Sequence, residues 1–134
     1  MTEAEARAKL RSAQVAHLAT AGADGRPHVV PITFALAAPD TLVTAIDHKP
    51  KRTRRLKRLE NIEQNPRAAV LADHYEDDWA RLWWVRAEGT ARIAEAVGEP
   101  ALLDALVERY EPYRERRPEG PLIVVAVERW TGWP

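Results

Sequence analysis

VAHLATAGADGRPHVVPITF, residues Val15 to Phe34, carries the signals that decide the fold. Val15–Thr20 and His28–Phe34 are short runs rich in apolar and β-branched residues. The AGADGRP between them holds Asp24-Gly25, a dipeptide suited to the positive φ of a tight turn. The stretch therefore reads as an antiparallel hairpin. Upstream, Thr2 and Glu5 have capping-box spacing and open a helix ending at about Ala13. Downstream, Pro39-Asp40 marks a turn before a strand at Thr41–Ile46, and Ala68–His74 forms a fourth strand. Arg81–Glu88 forms a fifth that Gly89 turns back into Thr90–Ala94, and Leu122–Glu128 is the last. Pro100 suits the first turn of a helix reaching about Tyr110; EPYRERRPEGP, residues 111–121, reads as a loop, and RWTGWP closes the chain. Six or seven strands joined by hairpin links, with few helices between them, give a mainly β, β-rich α+β chain folded as an antiparallel barrel with flanking helices. A βαβ series would need more helices.

With 134 residues the chain is read as one domain, 1–134, large enough for a real core. No stretch approaches the ~20 apolar residues of a membrane span, and the N-terminus is acidic and helical where a signal peptide is basic and then apolar. The protein is accordingly read as cytoplasmic, without a membrane partner. Cysteine is absent, which excludes disulfides, thiolate metal sites and a cysteine nucleophile.

Charge is balanced overall, 20 Lys+Arg against 20 Asp+Glu, yet seven of the ten residues from Lys49 to Arg58 are basic. Such a concentration in a neutral chain suits an anionic partner: a phosphate, a polyanionic cofactor tail or a nucleic-acid backbone. Leu56, Leu59 and Ile62 recur at helical spacing with the cations off that stripe, so Thr53–Gln64 reads as an amphipathic helix stopped by Asn65-Pro66. Pro50 keeps Lys49 extended, and Thr53 can cap the helix. That places Lys49, Lys51 and Arg52 at a helix start, where unpaired N–H groups add to their attraction for anions. A solvated basic face is the plain alternative.

Other catalytic chemistry finds little support. His17, His28, His48 and His74 lack metal-ligand spacing, and no nucleophile elbow, Walker loop or dinucleotide fingerprint is present. The acidic residues Asp73, Glu76, Asp77 and Asp78 read as an exposed loop rather than a cation site, so no metal is expected. On the fifth strand Trp83, Val85 and Ala87 face one way, and Leu82, Trp84, Arg86 and Glu88 the other. Both faces carry a large aromatic. One suits the barrel interior, the other a subunit interface or a flat conjugated ligand.

The run NPRAAVLADHYEDDWARLWWVRAEGTARI, Asn65–Ile93, preceded by HKPKR and by DGRPHVVPITF, Asp24–Phe34, resembles the pyridoxamine 5′-phosphate oxidase superfamily of FMN-binding split β-barrels. The likeness runs from about Val15 to Glu128. Within the superfamily it is most similar to short single-domain proteins classed as coenzyme F420-dependent oxidoreductases, in which K-P-K-R, an LWWVR strand and an R-W-x-G-W ending recur. The resemblance implies a homodimer with flavin or deazaflavin in two interfacial clefts. Lys51 matches the lysine that grips the flavin phosphate, with Lys49, Arg52 and Thr53 beside it. Thr44 and Ala45 match positions lining the cofactor. His28 to Thr33, including Val30 and Pro31, match a strand whose backbone runs along the ring system, and Trp84 matches a glutamine that reaches the cofactor from the partner. The chain departs from the oxidases at His28, Thr33 and Trp84, which replace arginine, lysine and glutamine, and it lacks their C-terminal substrate-phosphate arginine motif. Those departures argue against pyridoxamine phosphate as substrate and weaken the case for FMN, whereas a broad basic patch suits the polyglutamyl tail of F420.

The expected activity is hydride transfer from reduced F420 to an unsaturated or conjugated small organic acceptor, the cofactor supplying the reactive atom. No catalytic side chain is assigned, although Tyr75, His28 and His74 are candidate proton donors. The alternatives are an FMN-dependent oxidase or reductase, a flavin- or haem-binding protein on the same barrel, and a nucleic-acid module using the basic helix. Zero net charge weighs against nucleic acid.

Overall fold

The computed structural model describes residues 1–46 and 56–134. Helix α1, Glu3–Ser12, opens on the expected capping box, with Glu5 N–H donating to Thr2 Oγ1 and Thr2 N–H to Glu5 Oε1. Among the described residues seven strands follow: β1 (Ala16–Ala21), β2 (Pro27–Ile32), β3 (Ala35–Ala38), β4 (Thr41–Ala45), β5 (Arg67–His74), β6 (Trp83–Glu95) and β7 (Pro121–Trp133). Helix α2 (Lys57–Gln64) precedes β5, while α3 (Pro100–Arg109) and α4 (Glu111–Glu115) lie between β6 and β7. The β1–β2 turn has Gly25 at φ +76°, in the left-handed region that Asp24-Gly25 predicts.

All strands belong to one antiparallel sheet in the order β2-β1-β5-β6-β7-β4-β3. The two edge strands, β2 and β3, are consecutive in sequence, with only Thr33 and Phe34 between them. A flat seven-stranded sheet separates its edges by about 29 Å, six gaps of ~4.8 Å. The step from Ile32 to Ala35 reaches about 11 Å at most. The sheet must curl until its edges meet, which makes a barrel with one unpaired seam: the split barrel.

The curl divides the core. Leu18, Val70, Val85, Ile123, Val125, Phe34 and Leu42 fill the interior, joined by Ala6 and Leu10 of α1 and Leu59 and Ile62 of α2. Val43, Ala45, Leu122 and Val124 point outward and are covered by Leu103 and Leu106 of α3 and Tyr113 of α4. Strand β4 is therefore buried on both faces, consistent with its apolar run.

Four expectations need correction. The fifth strand does not turn back at Gly89; it continues as β6 to Glu95. Glu88 pairs with Arg129 and Gly89 with Val127, so Glu128 is an extra residue in β7 and a bulge forms there. A Cβ at Gly89 would lie 1.9 Å from the Ala126 carbonyl oxygen, so glycine permits close strand approach rather than a turn. The last strand runs on through the RWTGW ending to Trp133, paired along β6. Part of the 111–121 loop is helix α4, with Pro112 in its first turn. Ala35–Ala38 is an additional strand, held by pairing with β4 despite its alanine-rich sequence. Helix α2 is described from Lys57; the expected start at Thr53 lies outside the described residues. No described helix is long and apolar enough to cross a membrane.

Candidate functional site

At the seam, the end of β2, the link to β3, the end of β4 and the first turn of α2 meet around a hollow of about 180 Å³. Val15, Pro31, Ile32, Thr33, Thr44, Ala45 and Arg58 line it. Thr44 is 2 % exposed and faces the interior beside Leu42, on the opposite face of β4 from Val43 and Ala45. Because β2 is an edge strand, one side of its backbone has no sheet neighbour among the described residues to satisfy its peptide groups. Arg58 puts a cation on the rim. Ala45 and Arg58, which line the hollow, are close in sequence to Ile46 and Leu56, the described residues on either side of 47–55.

The seam is held from outside the sheet. Thr33 Oγ1 and Tyr113 Oη share a hydrogen bond of 2.9 Å. Phe34 N–H donates to Tyr110 Oη at 3.0 Å, and the Phe34 carbonyl accepts from Arg109 Nη1 at 3.0 Å. Arg109 also donates to the Ala13 carbonyl and lies 4.5 Å over the Phe34 ring. Residues of α3 and α4 thus replace the ladder bonds that the seam lacks. Sequence reading missed this clamp, since the tyrosines lie 76 and 80 residues from their partners; an Arg109-Tyr110 pair ending an amphipathic helix was the available signal.

Of the anticipated site residues, Pro31, Thr33, Thr44 and Ala45 come together at the seam. Val30 is half-buried against the core. His28 lies further back on β2, half-buried, with its Nδ1 enclosed and lacking a hydrogen-bond partner. Lys49, Lys51, Arg52 and Thr53 fall outside the described residues. Trp84 does not join them: it lines a separate hollow of about 320 Å³ with Asp73, His74, Tyr75, Leu82, Trp83 and Trp133, and the Arg86 guanidinium lies 5.4 Å from its ring centre. Two of the candidate proton donors, His74 and Tyr75, are in this second hollow; His28 lines neither. In the acidic loop Glu76 contacts His74 and pairs with Arg81 at 3.5 Å. Among the described residues no group of three or more His, Asp or Glu is placed to hold a metal ion.

A family model described as pyridoxamine 5′-phosphate oxidase matches residues 2–134. No curated protein sequence matches the chain. Among solved structures, a conserved hypothetical protein from Mycobacterium tuberculosis superposes with a TM-score of 0.77 at 23 % identity, covering 99 % of this chain and 84 % of that one. An FAD-binding protein from Mesorhizobium loti gives 0.73 at 21 % identity, covering 98 % of this chain and 94 % of that one. A haem-binding protein from Mycobacterium smegmatis gives 0.75 at 22 % identity, with 99 % of this chain matched to 54 % of that one. At these identities the likeness is one of fold.

Proposed function

The chain belongs to the pyridoxamine 5′-phosphate oxidase family, and from that premise we propose that it is a single-domain, homodimeric oxidoreductase that holds coenzyme F420 at the seam and reduces a conjugated organic acceptor. The convergence of Pro31, Thr33, Thr44, Ala45 and Arg58 on one hollow is the observation that carries this reading. Three chain segments far apart in sequence supply uncharged walls, an edge backbone able to hydrogen-bond a heterocycle, and a cation. Those residues fit a ring-and-tail cofactor. A bound deazaflavin or flavin supplies the atom that carries the hydride. The protein's own part is to bind and orient: β2 offers peptide groups to the ring edge, Thr33 is fixed by Tyr113, and the basic segment 49–58 draws in the anionic tail.

The tail decides between cofactors. One lysine plus helix-terminal N–H groups suffice for the single phosphate of FMN. Seven cations in ten residues match a ligand with carboxylates beyond its phosphate. FMN remains the second reading, favoured by the FAD-binding relative.

Size and surface support a second copy. The hollow of about 180 Å³ is smaller than the ~300 Å³ at which ligand pockets begin, so one chain encloses only part of a tricyclic ring. One outer sheet face also exposes apolar side chains across its width, with Val29 60 %, Leu71 38 % and Trp133 48 % exposed, and Trp84 directly opposite Trp133. Pairing two such faces would cover them and bring the partner's Trp84 toward the seam. Light scattering at micromolar concentration should report twice the monomer mass; a monomer that still binds cofactor would sink this part of the proposal.

A further inference from the structure

Where α1 lies against the Trp79–Arg81 turn and the start of β6, a cavity of about 800 Å³ opens, within the size range of small-molecule sites. It has no lining residue in common with the seam hollow. One wall is aromatic: the His74 ring stacks on Trp83, 20° from parallel with centroids 6.5 Å apart, and Leu82 and Ala8 extend the apolar surface. Two cations flank that wall. Lys9 Nζ sits 5.2 Å from the Trp83 ring centre and pairs with no carboxylate among the described residues. Arg81 meets Glu76 only through Nε, at 3.5 Å, with its side chain 71 % exposed. The one acidic lining residue, Glu5, is already engaged, its Oε1 accepting from Thr2 N–H at 2.8 Å, a bond that lowers its carboxyl pKa.

We propose that this cavity binds a small planar aromatic carboxylate, its ring against Trp83 and its carboxylate between Lys9 and Arg81. Stacking on a tryptophan face favours a flat ring. Charge-assisted hydrogen bonds from two cations favour an anion over a neutral molecule of the same shape. In the absence of ligand, the cation–π contact parks Lys9 over the ring, an exposed and easily exchanged position from which it can turn to a carboxylate. The site requires no residue of the seam, although His74, Leu82 and Trp83 also line the hollow that holds Trp84.

Calorimetric titration of the full chain with naphthoate, and with the neutral naphthylmethanol as control, tests it. Naphthoate should bind saturably at one site per chain and the alcohol at least tenfold more weakly. Lys9→Gln and Arg81→Gln should each weaken naphthoate about tenfold, the scale of one hydrogen bond to a charged group. Both residues are exposed, so an unchanged melting temperature would show the fold intact. Lys51→Ala should leave naphthoate binding unaltered. Equal affinity for acid and alcohol, absence of saturable binding, or a loss produced by Lys51→Ala but not by the two cation variants would overturn the proposal, the last by placing the ligand at the seam.

Discussion

At the scale of single residues, charge and hydrogen bonding set the expectations. Lys51→Ala should cost on the order of 1.5–3 kcal/mol in cofactor affinity, the usual value of a hydrogen bond to a charged group, and should hardly move the melting temperature. If affinity holds while stability falls, the basic segment is structural. Asp40 makes a different kind of test. Trp130 Nε1 donates to its carboxylate at 2.8 Å and Arg7 Nη2 at 2.7 Å, and these bonds, that from Trp130 foremost, hold its pKa below the ordinary carboxylate value. A depressed acid contributes stability that is present above its unfolded pKa and lost as pH falls through the folded one. The wild-type melting temperature should therefore drop below about pH 4, and Asp40→Asn should start lower at neutral pH and fall less. Thermal melts across that range would show equal falls if the Asp40 bonds carried no stability. The Thr2–Glu5 cap and the Asp24-Gly25 turn were legible from sequence because each is a local geometry that few residue types satisfy. The Tyr110, Tyr113 and Arg109 clamp was not, because its partners meet only after the barrel closes.

At the scale of elements, the misread strand shows what periodicity cannot reveal. Glycine inside a strand pattern signals a turn, a bulge or close backbone approach, and only the register of β7 against β6 tells which. Gly89→Ala should accordingly be severe, about 3 kcal/mol or more, since its Cβ would strike the Ala126 carbonyl; a variant with the wild-type denaturation midpoint would contradict that packing. Strand β3 escaped notice for the opposite reason, as ALAA has no β-branched residue and is a strand only by its pairing with β4. Helix α2 is anchored by a buried polar group: Asn61, fully enclosed, donates from Nδ2 to Thr20 Oγ1 at 3.1 Å, and Gln64 Oε1 accepts from Ala23 N–H at 2.8 Å. These bonds tie the helix that carries Arg58 to the β1–β2 hairpin. Asn61→Ala should cost about 2 kcal/mol in stability, the usual penalty for stranding a buried hydroxyl, measured from denaturant midpoints; a neutral outcome would mean that packing alone positions α2.

At the scale of the whole molecule, the short link between edge strands turns seven strands into a split barrel and brings its two edges together at the seam. That architecture was legible in strand count and hairpin spacing, and four of the anticipated site residues meet at the seam. Trp84 stands apart, in the separate hollow beside Trp83 and Trp133; under the proposed dimer it would serve the partner's cleft. The central claim is that the seam and the adjoining basic segment hold a long-tailed deazaflavin. Dissociation constants for F420 and FMN, at low and at moderate salt, test this most directly. The account predicts tighter F420 binding that weakens steeply with salt, because exposed charges are screened over a Debye length of ~8 Å at physiological ionic strength, and weaker FMN binding that is less salt-sensitive. Tighter FMN binding at both salt concentrations, or haemin or oligonucleotide bound with neither flavin nor deazaflavin, would contradict it.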